Sequence, residues 1–143
     1  MTSKLAVSTL HAKDIMTEPV ISFTSMTTVK EAIEQLIRHQ ISGAPMIEPS
    51  TNKVITIVSE ADLMKLAALE SLTESLGFLL DKLPATDKLI FVYPESSYAE
   101  VFKCFLKNPI RRVLVMNSNG TLAGIIARRD IIKSMLDNQT KNS

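Results

Sequence analysis

The chain reads TVKEAIEQLI at residues 28–37 and SYAEVFKCFL at residues 97–106, 69 positions later. Each stretch opens on a hydroxyl side chain and has glutamate three positions on, which is the capping-box pattern of a helix start. Apolar residues then recur at the spacing of one helix face. The two stretches therefore predict equivalent amphipathic helices, and they indicate an internal repeat.

The repeat continues on both sides of these helices. Thr17 and Thr86, again 69 positions apart, each open a polar turn before an apolar strand. Two strands follow each helix, and a second helix opens at Ser59 and at Ala127, 68 positions apart because the first connecting turn is one residue longer. We expect an α+β fold of two β-α-β-β-α repeats packed with pseudo-two-fold symmetry. The predicted strands are residues 20–23, 41–47 and 54–58, and residues 89–92, 110–116 and 122–126.

The repeat divides the chain into five segments. They are an N-terminal leader (1–12), a first repeat (13–66), a helical connector (67–85), a second repeat (86–137) and a polar tail (138–143). The connector is apolar and helical in propensity, with Gly77 as a break and Pro84 as a stop. Its leucines indicate either core packing or a dimer contact: Leu69, Leu72, Leu76, Leu79 and Leu80.

Composition narrows the class of protein. The 143 residues are 45% apolar and 22% charged, which is typical of one globular module. A net charge of +1 argues against a global field that gathers nucleic acid or a membrane surface. The single cysteine, Cys104, rules out an intramolecular disulfide or a cysteine metal cluster and favours a reducing compartment. With no secretory signal and no apolar run of about 18 residues, we expect a cytoplasmic protein.

Four of the five arginines form two adjacent pairs, Arg111-Arg112 and Arg128-Arg129. Counting outward from the Asn119-Gly120 hairpin turn places Arg112 opposite Ala127 and Arg111 opposite Arg128. Like charges directly opposed across a hairpin are destabilising, and the helix that opens at Ala127 adds its positive end. The cluster therefore predicts an anion site, for phosphate in particular. The alternatives are side chains splayed into water or paired with acids of a dimer partner.

Several short motifs resemble those of a cystathionine β-synthase (CBS) domain. The first half has KDIMT at 13–17, ISGAP at 41–45, and Ser59 followed by Asp62 three positions later; the second half has a looser version with IRRV at 110–113 and GII at 124–126. The likeness runs from about residue 13 to residue 135 and is that of a tandem pair, or Bateman module. It implies two symmetry-related clefts that bind adenosine-containing ligands, and pairing into homodimers.

The resemblance also implies which residues line each cleft. In one, Asp130 would bind the ribose and arginines the phosphate; this set is Thr17, Val20, Ser22, Ile41, Ser42, Gly43, Ala44, Arg111, Arg112, Arg128, Arg129 and Asp130. In the other, Asp62 would bind the ribose and Ser59 the phosphate; this set is Ser59, Asp62, Thr86, Leu89, Ile110 and Val113. The chain departs from the family pattern at Ala127, where a hydroxyl is usual, and at Thr56 and Arg112, which replace glycines.

Ser59 and Asp62 also have a purely structural interpretation, because serine followed three positions later by aspartate is a capping box. The leading functional hypothesis is a non-catalytic regulatory module that senses AMP, ADP, ATP or S-adenosylmethionine and passes occupancy to a separate partner protein or through its dimer. The alternative is a constitutive dimerisation or scaffold module with empty clefts. We expect neither an enzyme, since phosphate-loop, nucleophile-elbow and metal motifs are missing, nor a cofactor, nor a nucleic-acid partner.

Overall fold

A computed structural model describes residues 9–18 and 20–141, with side chains as far as residue 137 in the last helix. The chain divides into two compact units. Residues 21–89 form what we call the central unit. The described residues before residue 21 and those from residue 90 onward together form the terminal unit. The units therefore do not follow the predicted repeats, because the start of the first repeat belongs to the terminal unit and residues 86–89 of the second repeat belong to the central unit.

The central unit contains two antiparallel strands and two helices. Its elements are α2 (Val29–His39), β1 (Gly43–Glu48), β2 (Lys53–Ser59) and α3 (Glu60–Leu69). The register runs from Gly43 opposite Ser59 to Glu48 opposite Lys53. Alternate residues of β2 are buried, as expected for a strand with one face on the core. The core residues are Phe23, Val29, Ala32, Leu36, Ala44, Met46, Val58, Leu63, Leu66, Leu76, Leu79 and Leu83.

The terminal unit has a three-stranded sheet in the order β3-β4-β5, with β3 parallel to β4 and β4 antiparallel to β5. Its elements are α1 (Ala12–Ile15), β3 (Phe91–Val92), α4 (Tyr98–Lys107), β4 (Arg112–Met116), β5 (Leu122–Ala127) and α5 (Arg128–Lys141). Its core residues are Ala12, Val92, Tyr98, Val101, Val113, Val115, Ile126 and Ile131.

The predicted α+β class and the helices at the two capping-box stretches are confirmed. Thr28 forms the full box, since the Glu31 N–H donates to its hydroxyl at 3.1 Å and its own N–H donates to the Glu31 carboxylate at 3.0 Å. Ser97 supplies the hydroxyl half, accepting from the Glu100 N–H at 3.2 Å.

The first strand of each repeat is shorter than predicted. Residues 20–23 contribute only a bridge, in which the Phe23 N–H donates to Pro45 O at 2.8 Å and the Ile47 N–H donates to Phe23 O at 2.8 Å. In the second repeat the strand is reduced to Phe91–Val92, because the chain before it forms a short 3-10 turn at Thr86–Lys88. These segments are anchored at one or two residues rather than along a ladder.

The prediction of a helical connector over residues 67–85 is wrong. Helix α3 ends at Leu69, and the rest is irregular apart from a 3-10 turn at Leu80–Lys82. The reason is a tertiary bond pattern at the start of α2, whose first N–H groups have no acceptor within the helix. Val29 N–H donates to Glu74 O at 3.0 Å, and Lys30 N–H donates to Leu72 O at 2.8 Å. The connector is held extended to supply these carbonyls.

The connector also explains a glycine and divides the predicted leucine stripe. A β-carbon on Gly77 would lie 2.8 Å from the Ser25 β-carbon, so this close approach of two chain segments requires glycine. Leu76 and Leu79 are fully buried in the core, whereas Leu69 is 79% exposed. The stripe therefore does not act as one helix face.

The predicted leader and tail are partly folded. Residues 1–8 lie outside the described residues, but Ala12 is fully buried in the core of the terminal unit. The Tyr98 N–H donates to Leu10 O at 3.0 Å and the Ala12 N–H donates to Ser96 O at 2.9 Å. Leu10 thus supplies an acceptor carbonyl to the first N–H group of α4, as the connector does for α2. At the other end, α5 continues to Lys141, since residues 138–141 contain neither proline nor glycine.

Candidate functional site

Asp62 sits in the first turn of α3, directly after strand β2. Its Oδ2 accepts from the Ser59 N–H at 2.9 Å and from the Ser59 hydroxyl at 2.9 Å. In return, the Asp62 N–H donates to the Ser59 hydroxyl oxygen at 3.1 Å. The capping-box interpretation of this pair is therefore confirmed. The two bonds that the carboxylate accepts here both use Oδ2.

Asp130 occupies the equivalent place at the start of α5. Its Oδ2 accepts from the Ala127 N–H at 2.7 Å, which is the backbone half of the same box. Alanine has no hydroxyl to complete it. Both carboxylates therefore lie half-buried at the positive end of a helix, where a negative charge is stabilised, but Asp62 has one more polar neighbour.

The four clustered arginines meet where β4 begins and α5 begins. Arg112 is the partner of Ala127 in the register, as predicted. The Arg128 N–H donates to Arg111 O at 3.0 Å, which confirms the predicted juxtaposition of these two residues. Arg111, Arg128 and Arg129 are exposed and Arg112 is half-buried. The terminal unit therefore places four guanidinium-bearing residues beside Asp130.

The turn between β4 and β5 differs from the two-residue Asn119-Gly120 hairpin turn from which this register is predicted. Asn117 N–H donates to Thr121 O at 2.9 Å, so residue 117 faces residue 121. The Asn119 side chain accepts from both the N–H and the hydroxyl of Thr121, which draws the turn together. A bulge between Val115 and Met116 then absorbs the one-residue shift. Beyond the bulge, Arg112 therefore pairs with Ala127, as the sequence predicts.

Thr17 and Val20 belong to the same unit as Asp130. Thr17 N–H donates to Ile125 O at 2.8 Å, and Ile125 N–H donates to Thr17 O at 3.2 Å. Since Ile125 lies on β5, which leads directly into α5, this pairing holds Thr17 beside the strand that ends at the arginine cluster.

The remaining residues of the Asp130 set belong to the central unit. They are Ser22, Ile41, Ser42, Gly43 and Ala44. Gly43 pairs with Ser59, and Ser42 O accepts from the Glu60 N–H at 2.9 Å. Within their own unit, residues 42–44 therefore flank the start of α3.

The Asp62 set divides in the same way. Ser59, Asp62, Thr86 and Leu89 lie in the central unit, and Ile110 and Val113 lie in the terminal unit. The Thr86 hydroxyl donates to Ile55 O on β2, which anchors the turn at Thr86–Lys88 to the strand. Leu89 and Ile110 are half-buried and Val113 is fully buried in the core.

An aromatic pair was missed in the sequence. Phe91 and Tyr93 form an edge-to-face contact with ring centroids 5.5 Å apart, and the rings are 39% and 49% exposed. Phe91 falls 69 positions after the candidate residue Ser22, so the repeat arithmetic could have singled it out. Exposed ring faces can stack on a base.

Over residues 9–18 and 20–141, no group of three or more His, Cys, Asp or Glu side chains is placed to hold a metal ion. Nor does the same part of the chain contain a helix that is both long and apolar enough to span a membrane.

Comparison with known proteins gives a consistent result. The family profile described as the CBS domain matches residues 12–69 and again residues 81–137. Protein MJ1225 of Methanocaldococcus jannaschii is 30% identical over 129 residues, covering 90% of this chain but only 44% of that protein. The chain thus spans less than half the length of this relative.

Two solved structures share the fold. The CBS domain pair of protein MJ0100, in complex with 5′-methylthioadenosine and S-adenosyl-L-methionine, has a TM-score of 0.74 and 23% identity, covering 90% of this chain and 97% of that one. CBSX2 in complex with AMP has a TM-score of 0.77 and 22% identity, with 90% and 98% covered. At these identities the likeness establishes the architecture.

Proposed function

This chain belongs to the CBS domain family and carries two copies of the domain in tandem, and from that premise we propose that it is a non-catalytic regulatory module that binds an adenosine-containing ligand. The candidate ligands are AMP, ADP, ATP and S-adenosylmethionine. The ligand-binding residues are the Asp130 set and the Asp62 set. The single cysteine makes a reducing cytoplasm the compartment that suits the protein best.

One observation carries the proposal, the bond between the Arg128 N–H and Arg111 O at 3.0 Å. It holds two pairs of arginines together at the positive end of α5, beside Asp130. Guanidinium groups offer phosphate a planar fork of donors, and a helix start adds backbone donors of the same sign. A carboxylate can accept from two vicinal ribose hydroxyls. Arg128 and Asp130, the residues proposed to contact phosphate and ribose, are therefore within one turn of α5.

The two residue sets suit different ligands. In the central unit, Glu60 stands where the terminal unit has Arg128, and Ala61 stands where it has Arg129. The Asp62 set therefore lacks the cationic cluster and has an acidic residue in its place. We expect AMP, ADP or ATP to bind more tightly at the Asp130 set than at the Asp62 set, where Ser59 is the candidate phosphate ligand and Glu60 lies beside it.

Regulation requires that ligand binding changes the conformation of the protein. A bound ligand favours whichever conformation of the protein binds it better. That preference can be passed to a separate partner protein or through a homodimer. The complexes of related structures with AMP and with S-adenosylmethionine support this choice of ligand class.

One observation favours the alternative, a scaffold module with empty sites. Asp62 and Asp130 are both already engaged as helix caps, so their placement has a sufficient structural reason.

Isothermal titration of dialysed, nucleotide-free protein with each of the four ligands separates the two. A regulatory module gives a dissociation constant in the micromolar range for at least one ligand, and at 100 times that concentration the ligand stabilises the fold by about 2.7 kcal/mol. Flat titrations with all four, together with unchanged melting temperatures, favour the scaffold.

A further inference from the structure

Two segments of the central unit, residues 24–28 and 75–78, meet at the start of α2 and form what we call the α2 corner. The Gly77 N–H donates to Ser25 O at 3.0 Å. The next residue along each segment is large, apolar and exposed: Met26 at 80% and Phe78 at 74%. Neighbouring large apolar side chains left in water usually mark an interaction site.

The terminal unit has a corner with the same backbone at the start of α4. Its turn, residues 93–96, is closed by the same bond from a backbone N–H to a hydroxyl as residues 24–27, at 2.9 Å and 3.0 Å. The Lys13 N–H donates to Pro94 O at 3.0 Å, which is the counterpart of the Gly77 bond. The two corners can therefore be compared residue by residue.

The corner of the terminal unit carries charged side chains in place of apolar ones. Glu95 and Asp14 stand at the positions of Met26 and Phe78. Glu95 Oε1 lies 2.8 Å from Lys13 Nζ in an ion pair, and these three charged side chains are exposed. The backbone of the corner therefore accepts charge at both positions, so folding alone does not require Met26 and Phe78 to be apolar.

The surroundings of the α2 corner are acidic. Residues 24–31 and 70–82 contain four acidic residues and two lysines. Both lysines are in ion pairs with glutamates, at 4.0 Å and 3.2 Å: Lys30 with Glu34, and Lys82 with Glu70. Glu74 and Asp81, on either side of Phe78 in the chain, add negative charge that these pairs do not neutralise. The corner therefore repels an anionic lipid surface or a nucleic acid and attracts a cationic group.

We propose that the α2 corner is the docking site for a segment of a separate partner protein in which large apolar side chains are flanked by lysine or arginine. The apolar groups cover Met26 and Phe78, and the cations lie toward Glu74 and Asp81. The inference rests on the proposed function in that it names where the regulated partner protein is held.

The α2 corner is distant from the candidate ligand residues of its own unit. The corner lies at the start of α2, whereas residues 41–44 follow its end, about 16 Å away along the 11-residue helix. A docked segment at the corner therefore leaves residues 41–44 open to a ligand.

Selection of random displayed peptides of about 12 residues on the immobilised full chain, without nucleotide, tests the chemistry of the partner. The enriched peptides should combine aromatic or large aliphatic residues with lysine or arginine. Met26→Glu with Phe78→Asp copies the residues of the terminal unit into the corner, so this variant should fold. It should weaken binding of an enriched peptide, measured by fluorescence anisotropy, by about ten-fold or more.

Thr51→Glu with Thr9→Asp is the matched control. It adds the same two negative charges at exposed positions outside the corner and should change the affinity for the peptide by less than about two-fold at physiological salt. Glu74→Lys with Asp81→Lys leaves the apolar side chains in place and should weaken the peptide by about five-fold or more, because the attraction is reversed. Far-ultraviolet circular dichroism checks that each variant is folded.

Three results of the selection would overturn the proposal: no enriched peptide, enriched peptides that are acidic or lack apolar residues, or equal binding of the peptide to wild type and to Met26→Glu with Phe78→Asp. Binding to phosphatidylserine vesicles that this variant abolishes would also overturn it, since the corner would then contact a membrane. Nucleotide titration is independent. A chain that binds AMP but enriches no such peptide refutes only the docking site, and one that enriches the peptide but binds no nucleotide refutes only the proposed ligand.

Discussion

Gly124 lies so close to Met16 that a β-carbon on residue 124 would stand 2.5 Å from the Met16 sulfur. In the central unit the equivalent positions are Thr56 and Ala85. Thr56 is fully buried and its hydroxyl donates to Pro84 O at 2.6 Å. At the same pair of repeat positions, the terminal unit therefore has glycine with a long methionine side chain, and the central unit has threonine with alanine. The departure from the family pattern at Thr56 has a structural reason.

This exchange predicts that Gly124→Thr destabilises the protein by about 1–3 kcal/mol, since the new side chain meets Met16. Adding Met16→Ala should recover part of that loss, because it creates the small neighbour that Thr56 has. Urea unfolding of the two single variants and the double variant measures the coupling.

Thr56→Val is the matched control, with the same shape and no hydroxyl. It should cost about 0.5–1.5 kcal/mol because it removes the part-buried hydrogen bond to Pro84 O. A Gly124→Thr variant as stable as wild type, or a double variant no more stable than Gly124→Thr, would contradict the packing argument.

The sequence predicts the elements whose signals are local. The Thr28 and Ser97 caps, the helical spacing after them and the strand pairs all depend on residues a few positions apart. The connector and the predicted leader could not be assigned in this way. Leu72 and Leu10 are held by backbone bonds to helix starts distant in the chain, and no side-chain pattern records an extended segment that supplies carbonyls.

The candidate site is predicted in part for the same reason. Arg112 meets Ala127, as predicted, because the bulge between Val115 and Met116 compensates for a turn whose register is one residue off the predicted one. The cap at Asp62 follows from Ser59. The pairing of Thr17 with Ile125 depends on tertiary structure, and the family resemblance indicated only that Thr17 belongs to the Asp130 set. Phe91 lies at the repeat position of the candidate residue Ser22, so equivalence across the repeat was the available signal for it.

The unequal caps of α3 and α5 give a second prediction. Ser59→Ala removes the hydroxyl that accepts from the Asp62 N–H and should cost about 0.5–2 kcal/mol. Ala127→Ser is the converse change, and it should stabilise the protein by about 0.5–1 kcal/mol by completing the box with Asp130. Thermal unfolding measures both, and a destabilising Ala127→Ser would show that α5 has no place for the hydroxyl.

Residues 10–12 give a third prediction, because they form part of the terminal unit rather than a free leader. Ala12→Asp puts a charge into a fully buried place and should cost more than about 3 kcal/mol. Thr9→Asp, at an exposed position just before it, is the control and should change stability by less than about 0.5 kcal/mol. Equal effects in chemical denaturation would mean that the segment is not docked.

The half-buried thiol of Cys104 gives a fourth prediction. Burial raises its pKa above the usual value, and the negative charge of Glu100 adds to this while Lys107 opposes it. Since the pKa is higher in the folded state, the neutral thiol favours folding at pH values below the unfolded pKa, and this contribution is lost as the pH rises through the folded pKa. Alkylation by iodoacetamide should therefore have a higher pH midpoint in the native protein than in urea.

Glu100→Gln should lower the native midpoint for Cys104 alkylation, because it removes one of the causes. Lys107→Gln should raise it. A native midpoint at or below the value in urea would instead identify an activated thiol.

The arginine cluster gives the last prediction, which distinguishes phosphate recognition from a structural role. If Arg111 and Arg112 contact phosphate, replacing both by alanine removes charge-assisted bonds of about 1.5–3 kcal/mol and should weaken AMP binding by about ten-fold or more. Adenosine has no phosphate, so its affinity should change by less than about two-fold.

Arg38→Ala, remote in sequence and on α2, controls for the loss of one positive charge. Replacing both by lysine keeps the charge without the planar fork and should give an intermediate loss for AMP. Titration calorimetry measures all of these affinities. It is done at one fixed salt concentration, high enough to screen purely long-range effects of charge. Equal losses for AMP and adenosine would mean that the arginines hold the hairpin to α5 and do not read the phosphate.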